Sequence, residues 1–443
     1  MCITSLKTHT IILGAGISGL SYAHFLSKKS NDFIVIEKDD RVGGNINSEI
    51  IDEFLIESGP NTVLLNNSSI RQLVEDYNLD KELIHPVETA KDNRFILRQG
   101  KLQLIPKSPK EFFYSPILSW KDKLRLFFDL FLPKHRTDTS VNNFIKKRFG
   151  KGVLTHFFEP FLTGIYAGDV NKMSAKYTLK KIWEFEQAHG SIIKGLLKQK
   201  KIDRPQIFNF STGLSHLTSA IREKIKPNLL FNEAIIEIKK MKDYYVVITK
   251  NKIIHAEQII STIPAHSLSQ IFKSNTLNQA LSSVYYAPVD VFHFGFNKST
   301  VKNQSQGFGV LTKPSDKKHF LGILFNSRFF PHVCPDDKEL FTVIIGGSKQ
   351  AQLCELNDNK LLSLIKEEVK ELLECDEDPI FTNHVKYQKG IPQYHLNHNM
   401  IQNKIKEFEK FNSNFHILGN YLTGVSVSDC VKNAEILNNK LHT

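Results

Sequence analysis

The sequence has few cysteines and no long apolar run, and both shortages limit what the protein can be. No CxxC pair occurs and the number of cysteines is odd, so we expect reduced, mostly buried thiols rather than a disulfide framework. No window reaches the roughly 18 uncharged apolar residues that a spanning helix needs, and the N-terminus lacks the pattern of a signal peptide. We therefore expect a cytoplasmic protein that does not cross a membrane. The cysteines are Cys2, Cys334, Cys354, Cys375 and Cys430.

Charge is unevenly distributed along the chain. The 443 residues carry a net charge of +12, and residues 106–204 supply nearly all of it, with 20 Lys and Arg against 9 Asp and Glu. Such a basic segment indicates an anionic partner, either nucleic acid or an anionic bilayer surface. The hydrophobic content of 41% is typical of a folded globular protein, and the length predicts two or three lobes.

The segment HTIILGAGISGLSYAHFLSKKSNDFIVIE (9–37) predicts a nucleotide site. A β-branched run ends at Gly14, then Gly16 and Gly19 complete a GxGxxG spacing, and a second apolar run ends at Glu37. Glycines let the backbone approach a pyrophosphate at a helix N-terminus, and an acid about 20 positions later accepts ribose hydroxyls. A turn without a ligand is the alternative, but it leaves Glu37 unexplained.

Two further segments indicate which nucleotide binds. RVGGNINS (41–48) resembles the second glycine pair of FAD enzymes of the amine-oxidase and glutathione-reductase-like class, with an ordinary turn as the alternative. LGNYLTGVSVSDCV (418–431) predicts a strand, a glycine turn and a helix from about Val427. In that class a late segment of this form closes on the isoalloxazine, where its N–H groups would face developing negative charge.

Some polar residues near the C-terminus allow a chemical role, but a structural one is favoured. Asp429 is expected as an N-terminal helix residue rather than a catalyst, and Cys430 as a small buried side chain rather than a covalent flavin anchor. His395 and His398 have HxxH spacing, but no third ligand lies nearby in sequence, so no metal site is predicted.

Short motifs then occur in order from about residue 8 to the C-terminus. They are ESGPNTVL (57–64), NRFIL (93–97), FFEPFLTGIYAGDVNKMSAKYTLKKIWEFEQAHGSIIKG (157–195), QGFGVL (306–311), LGILFNS (321–327), IIGGS (344–348), IPQYHLNH (391–398) and GNYLTGVSVSDC (419–430). Each alone is weak, but GIYAGD (164–169) and IPQY together are specific. The set resembles the oxygen-dependent protoporphyrinogen oxidases and the related bacterial coproporphyrinogen oxidases.

The resemblance implies an α/β (mixed α+β) fold. An FAD-binding Rossmann-like domain of the amine-oxidase and p-hydroxybenzoate-hydroxylase type would join a mixed-sheet substrate domain and an inserted helical domain. The implied FAD-binding domain comprises residues 1–90, 205–262 and 405–443, the substrate-binding domain residues 91–105 and 263–404, and the basic, membrane-associating insertion residues 106–204.

The resemblance also implies how FAD is held without a covalent bond. The ADP half would lie against the first glycine turn, the acidic strand end and the strand NEAIIEI (232–238), and the flavin along the later segments. Asn45 and Asn399 fall where some relatives carry an aromatic residue. The implied cofactor-binding residues are Gly14, Ala15, Gly16, Ile17, Ser18, Gly19, Glu37, Lys38, Gly44, Asn45, Gly59, Pro60, Asn61, Thr62, Ile235, Val425, Ser426 and Val427.

The implied reaction, a step of heme biosynthesis, oxidises protoporphyrinogen IX to protoporphyrin IX. Six electrons leave in three rounds of hydride transfer to flavin N5, and oxygen reoxidises the flavin to give hydrogen peroxide. The cofactor supplies the reactivity, so no catalytic side chain is required. Arg94 would bind a propionate, Gly168 would permit close backbone approach, and Leu321, Ile323 and Ile344 would form an apolar slot. A surface arginine and ordinary core residues are the alternatives.

Several alternatives stay open at this point. The substrate could be coproporphyrinogen III, and the scaffold would also suit an amine oxidase, a carotenoid desaturase, a flavin-dependent isomerase or a porphyrin carrier. The basic helical third is expected to dock on the inner face of the cell membrane, with a solvated helical lobe as the alternative. No nucleic-acid-binding module is visible, and a homodimer is possible.

Overall fold

Within the part of the chain that the structure describes, two seven-stranded sheets and a cluster of helices make up most of the fold. The computed structural model describes residues 4–199 and 206–442. Cys2 lies outside these residues, and the other four cysteines are free. Within the described part of the chain, no helix is long and apolar enough to span a bilayer.

Strands form where β-branched and aromatic residues recur, because such side chains fit a pleated, half-buried surface. In chain order the strands are β1 (Thr4–Leu13), β2 (Phe33–Ile36), β3 (Ser48–Ile51), β4 (Phe54–Glu57), β5 (Val63–Leu65), β6 (Phe95–Arg98), β7 (Lys101–Leu104), β8 (Gln206–Phe208), β9 (Leu229–Leu230), β10 (Ile235–Lys240), β11 (Tyr245–Thr249), β12 (Lys252–Ser261), β13 (Tyr286–Asn297), β14 (Gly309–Leu311), β15 (Phe320–Leu324), β16 (Lys338–Gly346), β17 (Phe381–Pro392) and β18 (Phe415–Ile417).

Serine side chains start many of the helices in the basic third. Ser108, Ser119, Ser140, Ser174 and Ser191 each accept a backbone N–H of the first helical turn. The α-helices are α1 (Ile17–Ser27), α2 (Ser68–Asp76), α3 (Pro109–Tyr114), α4 (Trp120–Phe127), α5 (Val141–Phe149), α6 (Lys151–Val153), α7 (Glu159–Tyr166), α8 (Ala175–Thr178), α9 (Lys180–His189), α10 (Ile192–Lys198), α11 (Ser215–Ile225), α12 (Ala265–Ile271), α13 (Asn275–Ser282), α14 (Asn326–Phe329), α15 (Asp358–Leu373), α16 (His398–Phe411) and α17 (Val427–Leu441).

The first sheet has the strand order β10–β11–β12–β1–β2–β9, and β18 pairs with the end of β12. Its central strand β1 runs parallel to both β12 and β2. Ile12 packs with Leu20 of α1 on one face, while Ile11 and Leu13 belong to the core on the other face. Burial on both faces explains why the strand ends in three consecutive apolar residues, Ile11, Ile12 and Leu13.

The second sheet has the order β17–β13–β16–β15–β14–β6–β7. One face packs against α15, with Val343 and Ile345 of β16 meeting Leu361 and Ile365. The other face carries a smaller apolar cluster, which Ala167 of the helical third joins. The helices of the basic third form a core of their own.

A buried arginine joins three parts of this helical cluster. Arg148 of α5 is 0% exposed; its Nε donates to Glu186 Oε1 at 2.5 Å and its Nη1 to Asp129 Oδ1 at 3.1 Å. His135 Nδ1 lies 2.7 Å from the same Glu186 oxygen. Burial alone would raise the pKa of Glu186, but hydrogen bonds from His135 and Arg148 bring it below its ordinary value. The segment that carries Asp129 is therefore tied to α5 and α9.

Replacing Arg148 with Met should destabilise this cluster by about 3–5 kcal/mol, because two carboxylates would stay buried without a cation. Both tryptophans, Trp120 and Trp183, belong to helices of the cluster, so tryptophan fluorescence during urea denaturation reports its unfolding. Lys302→Met, which removes an exposed ion pair with Asp376, is the control and should change little. Equal midpoints for the two variants would contradict this role of Arg148.

Candidate active site

The first glycine turn lies between β1 and α1. Gly14 has φ +93°, a left-handed conformation that favours glycine, and its amide donates to the Ile36 carbonyl at 2.8 Å. Gly16 is the N-cap of α1. A Cβ on Gly19 would overlap the Gly14 carbonyl oxygen, so the helix approaches the strand end as closely as backbone allows. The predicted residues Ala15, Ile17 and Ser18 belong to the same turn.

Glu37 at the end of β2 is held against this turn. Its Oε2 accepts from the Ala15 amide at 2.8 Å, and its Oε1 from the Asp39 amide at 3.1 Å. Its carbonyl accepts from the Glu233 amide at 2.9 Å, which brings the start of β10 at Ile235 to the same end of the sheet. Lys38 follows on the surface, with Nζ 3.7 Å from Asp39.

A second glycine pair completes a groove whose floor is backbone. The Gly43 amide donates to the Ala15 carbonyl at 2.8 Å, and a Cβ built on Gly44 would stand 3.1 Å from Gly16 Cα. Gly44 and the next residue, Asn45, are exposed. A Cβ on Gly59 would overlap the Asn45 carbonyl oxygen, so the GPNT turn, with Pro60, Asn61 and Thr62, lies directly beside the pair.

A buried carboxylate that sequence reasoning missed supports the GPNT turn. Glu57 is 3% exposed and accepts from Ser48 Oγ at 2.7 Å, the Leu214 amide at 2.8 Å and Asn209 Nδ2 at 3.1 Å. Burial raises the pKa of Glu57 to about 7, although these hydrogen bonds oppose the rise. Its position in the quoted ESGPNTVL motif was the available signal.

The late segment has the predicted strand, turn and helix. β18 ends at Ile417, Gly424 has φ +72°, and Ser426 caps α17 by accepting from the Asp429 amide at 3.1 Å. Val425, Ser426 and Val427 are half-buried in this turn. Helix α17 packs on α1, which brings the last turn beside the first.

Two residues of α17 have the structural roles that the sequence favours. Asp429 accepts from Ser426 Oγ at 2.7 Å, as a capping residue does, and Cys430 is 6% exposed. Ser428 Oγ donates to the Leu64 carbonyl at 2.5 Å, while Asn67 Nδ2 donates to the Ser428 carbonyl at 3.2 Å. These bonds attach the helix start to the strand that follows the GPNT turn.

An apolar face of the second sheet adjoins the groove. Leu321, Val289 and Val291 are buried in it, and Ile344 and Tyr387 are half-buried at its margin. Tyr387 donates its hydroxyl to the Ser58 carbonyl at 3.3 Å, one residue before Gly59. The face and the groove are therefore neighbours, and aliphatic side chains there would exclude water.

The motifs that carry the resemblance converge on this face. The Ser348 amide of IIGGS donates to the Ala167 carbonyl of GIYAGD at 2.7 Å. Gln393 of IPQY donates from Nε2 to the Tyr166 carbonyl at 2.6 Å. A Cβ on Gly168 would lie 2.5 Å from Met173 Sδ and 2.6 Å from Gln393 Oε1, so a larger residue here would make both of these flexible side chains shift.

The structure separates two predicted substrate residues from Leu321 and Ile344. Ile323 belongs to the core beneath α15, on the opposite face of the sheet. The reason is a β-bulge between Phe320 and Gly322, which shifts the alternation of side chains by one residue. Arg94 stacks over the Phe308 ring at 4.8 Å and donates from Nη1 to the Lys91 carbonyl at 2.9 Å.

The HxxH pair contacts protein groups. His398 donates from Nε2 to the Leu422 carbonyl at 2.9 Å, and the His395 ring stacks on Tyr285. Burial lowers the pKa of both imidazoles. No group of three or more His, Cys, Asp or Glu suited to a metal ion occurs within residues 4–199 and 206–442.

Glu57→Gln should remove a pH dependence of stability. Because the folded pKa of about 7 lies above the ordinary 4.5, the stabilising contribution of protonated Glu57 is full below pH 4.5 and is lost as pH rises through 7. The loss corresponds to about 3 kcal/mol. Urea denaturation followed by circular dichroism measures the free energy of unfolding at about pH 5 and about pH 8. Relative to the native chain, the free energy of unfolding of the variant should rise only at the higher pH.

Glu49→Gln, at an exposed position of the same β3–β4 hairpin, is the matched control. Its free energy of unfolding should match that of the native chain at both pH values. If the difference in the free energy of unfolding between the native chain and Glu57→Gln is equal at both pH values, the raised pKa is contradicted.

Comparison with known proteins follows the whole length of the chain. It is 26% identical over 463 residues to protoporphyrinogen oxidase 2, chloroplastic/mitochondrial, of Arabidopsis thaliana, covering 95% of this chain and 91% of the relative. It is 25% identical over 456 residues to coproporphyrinogen III oxidase of Bacillus subtilis (strain 168), covering 96% of each. Both relatives are therefore matched over more than nine-tenths of their length.

The fold is shared with solved structures of flavoproteins. A crystal structure from Exiguobacterium sp. 255-15, provisionally assigned as a protoporphyrinogen oxidase, matches with a TM-score of 0.84 at 21% identity over 99% of both chains. The predicted mixed α/β fold of the amine-oxidase type is confirmed. The profile of one family, Flavin containing amine oxidoreductase, matches residues 17–436. The chain belongs to the flavin containing amine oxidoreductase family, as a relative of the porphyrinogen oxidases.

Proposed function

We propose that the protein is an FAD-dependent oxidase that converts protoporphyrinogen IX to protoporphyrin IX, with oxygen as the acceptor and hydrogen peroxide as a product. Membership of a flavin oxidoreductase family supports the redox chemistry. The observation that carries the proposal is the convergence of GIYAGD, IIGGS and IPQY on one apolar face beside the glycine groove. A hydrophobic tetrapyrrole macrocycle needs such a face next to the oxidant.

FAD fits the groove, held without a covalent bond. Gly16 and Gly44 leave a strip without side chains where a Cβ on Gly44 would come within 3.1 Å of the opposite backbone. Glu37, tied to the Ala15 amide, would accept from the ribose hydroxyls. Val425, Ser426 and Val427 would contact the isoalloxazine, and Ile235 the adenine side. Cys430 is buried within α17 packing, which argues against a covalent anchor.

The flavin, when bound, would supply the two-electron oxidation, so the chain itself has to bind, orient and keep water away. Leu321, Ile344 and Tyr387 would pack on the macrocycle. Gly168, which has no side chain to displace Met173 and Gln393, would permit close backbone approach to the macrocycle. Arg94 would receive a propionate that extends beyond this face, because its guanidinium lies over the Phe308 ring and not among the residues of the face.

Coproporphyrinogen III is the second candidate substrate. Relatives named coproporphyrinogen III oxidase, from Bacillus subtilis (strain 168) and Staphylococcus aureus (strain NCTC 8325 / PS 47), are 25% and 26% identical to this chain over nearly their whole length. The two substrates differ by vinyl against propionate groups. The chain's overall similarity to both kinds of relative is equal within a few per cent.

The test is porphyrin fluorescence after anaerobically prepared protoporphyrinogen or coproporphyrinogen is added, in air, to the FAD-loaded protein. Faster fluorescence than in an enzyme-free control, with hydrogen peroxide formed, is the expected outcome, and the faster substrate identifies the reaction. No acceleration with either substrate despite bound FAD would reject the proposal. Amines and polyenes would then be the next substrates to test.

We also propose that the helical cluster docks on an anionic bilayer surface. Large apolar side chains of α3, α4 and the following turn face solvent, while the backbone beneath them is held by buried charges. Lys123 Nζ donates to the carbonyls of Phe113 and Ser115 at 2.6 and 2.9 Å, and Arg148 holds Asp129. A preformed apolar surface with basic neighbours suits the headgroup boundary. The exposed residues are Phe113, Tyr114, Trp120, Leu124, Phe127, Phe128 and Phe131.

The double variant Phe128→Ser with Phe131→Ser should bind phosphatidylglycerol vesicles at least about tenfold more weakly than the native chain. Each phenylalanine, 60% and 84% exposed, would lose the roughly 1.5–3 kcal/mol available from burying its ring. Vesicle co-sedimentation measures the change. Phe411→Ser, which removes a ring that is 72% exposed on α16, is the control and should leave binding unchanged. Equal binding by all three proteins would contradict the docking surface.

A further inference from the structure

We propose that Tyr394, His398 and Gln402 form a carbonyl clasp that positions the turn 419–427 against the flavin and thereby sets the reduction potential of the flavin. The inference rests on the proposed binding of FAD beside this turn. It assigns a role to the second histidine of the HxxH motif, His398, and to the tyrosine of IPQY, neither of which the proposed reaction uses directly.

The clasp consists of hydrogen bonds to two carbonyl groups of the turn. The Tyr394 hydroxyl donates to the Asn420 carbonyl at 2.5 Å. His398 Nε2 and Gln402 Nε2 both donate to the Leu422 carbonyl, at 2.9 and 2.8 Å. A carbonyl oxygen only accepts, so His398 carries its proton on Nε2 in this contact. These three side chains therefore orient alternate peptide groups of the turn.

The clasp is itself rigidly supported. His398 and Gln402 are four residues apart on one face of α16, and Tyr394 and His398 are each 1% exposed. The Tyr394 and His398 rings lie 4.6 Å apart, and the Tyr177 ring packs edge-on to His398 at 4.7 Å. Side chains packed on several sides keep their rotamers, so the donors stay where the carbonyls need them.

The far end of the turn is held as well. Asn433 Nδ2 donates to the Thr423 carbonyl at 2.6 Å, and Ser426 caps α17. Between these two anchors the chain reverses through Gly424 at φ +72°. Three of the four carbonyls from Asn420 to Thr423 are thus bound by side chains, which leaves the orientation of the following N–H groups, at residues 425–427, little freedom.

Orientation of these N–H groups matters because they would face the part of the flavin that gains negative charge on reduction. Donors and a helix N-terminus stabilise such charge only if they are held in place beforehand. Loosening the turn should weaken the binding of reduced flavin more than that of oxidised flavin. A lower midpoint potential follows, since the potential records the ratio of the two affinities.

The chain provides a matched control for the tyrosine. Tyr421 lies in the same turn and is 1% exposed, as Tyr394 is. Its hydroxyl is buried without a hydrogen-bond partner among the described residues. Tyr394→Phe and Tyr421→Phe therefore delete the same buried atom, but only the first breaks a bond to the turn.

The experiment is a reductive titration of the FAD-loaded native protein, Tyr394→Phe, Tyr421→Phe and Gln402→Met, with flavin absorbance as the readout. Tyr394→Phe should lower the ratio of reduced to oxidised flavin affinity about tenfold, which is about 30 mV for a two-electron couple. Gln402→Met should shift the potential in the same direction, and Tyr421→Phe should leave it unchanged. Circular dichroism checks that each variant is folded, and Gln402→Met carries the test if Tyr394→Phe does not fold.

The outcomes separate this inference from the function on which it rests. If the native protein binds FAD but Tyr394→Phe and Gln402→Met keep the native potential, the clasp is overturned and the proposed function stands. A shift in Tyr421→Phe as large as that in Tyr394→Phe would also overturn it, because loss of packing alone would then explain both. If the native protein does not bind FAD, the proposed cofactor and the clasp's role fall together.

Discussion

Helix α17 packs against helix α1, and this contact brings the two ends of the chain to one place. Val431 and Ala434 of α17 share a core with Leu20 and Ala23 of α1, and all four are 0% exposed. Small side chains at two of these positions let the helices approach closely. The glycine turn at the start of the chain and the capped turn before α17 are adjacent for this reason, although hundreds of residues separate them in sequence.

A few hydrogen bonds attach the second sheet to the segment around the GPNT turn. Tyr387 bonds the Ser58 carbonyl, Asn326 Nδ2 donates to Asn61 Oδ1 at 2.7 Å, and His293 Nε2 donates to the Glu57 carbonyl at 3.1 Å. All three hydrogen bonds are made to residues in or next to the GPNT turn. The apolar face is thereby held beside the glycine groove, so one short segment links the two parts of the proposed site.

Local features of the site could be predicted from the sequence, whereas tertiary ones could not. The GxGxxG turn and the start of α17 at Val427 were predictable because glycine spacing and apolar runs report local backbone geometry, whereas the family and the fold class came from the resemblance carried by the ordered motifs. Ile323 lies on the opposite face of the sheet from Leu321 because a β-bulge shifts the alternation of side chains, and the sequence pattern does not reveal that bulge. The Tyr394 contact spans 26 residues, and the burial of Glu57 depends on Asn209 and Leu214, so neither has a local signature.

The central claim is that the glycine groove and the apolar face form one site. Its most direct test is the rate at which protoporphyrinogen bleaches the bound flavin without oxygen, in the native protein and in Ile344→Trp, which would fill the face. The account predicts rapid bleaching in the native protein and strongly slowed bleaching in the variant, while dithionite reduces both equally. Bleaching by the porphyrinogen at the native rate in Ile344→Trp would contradict it.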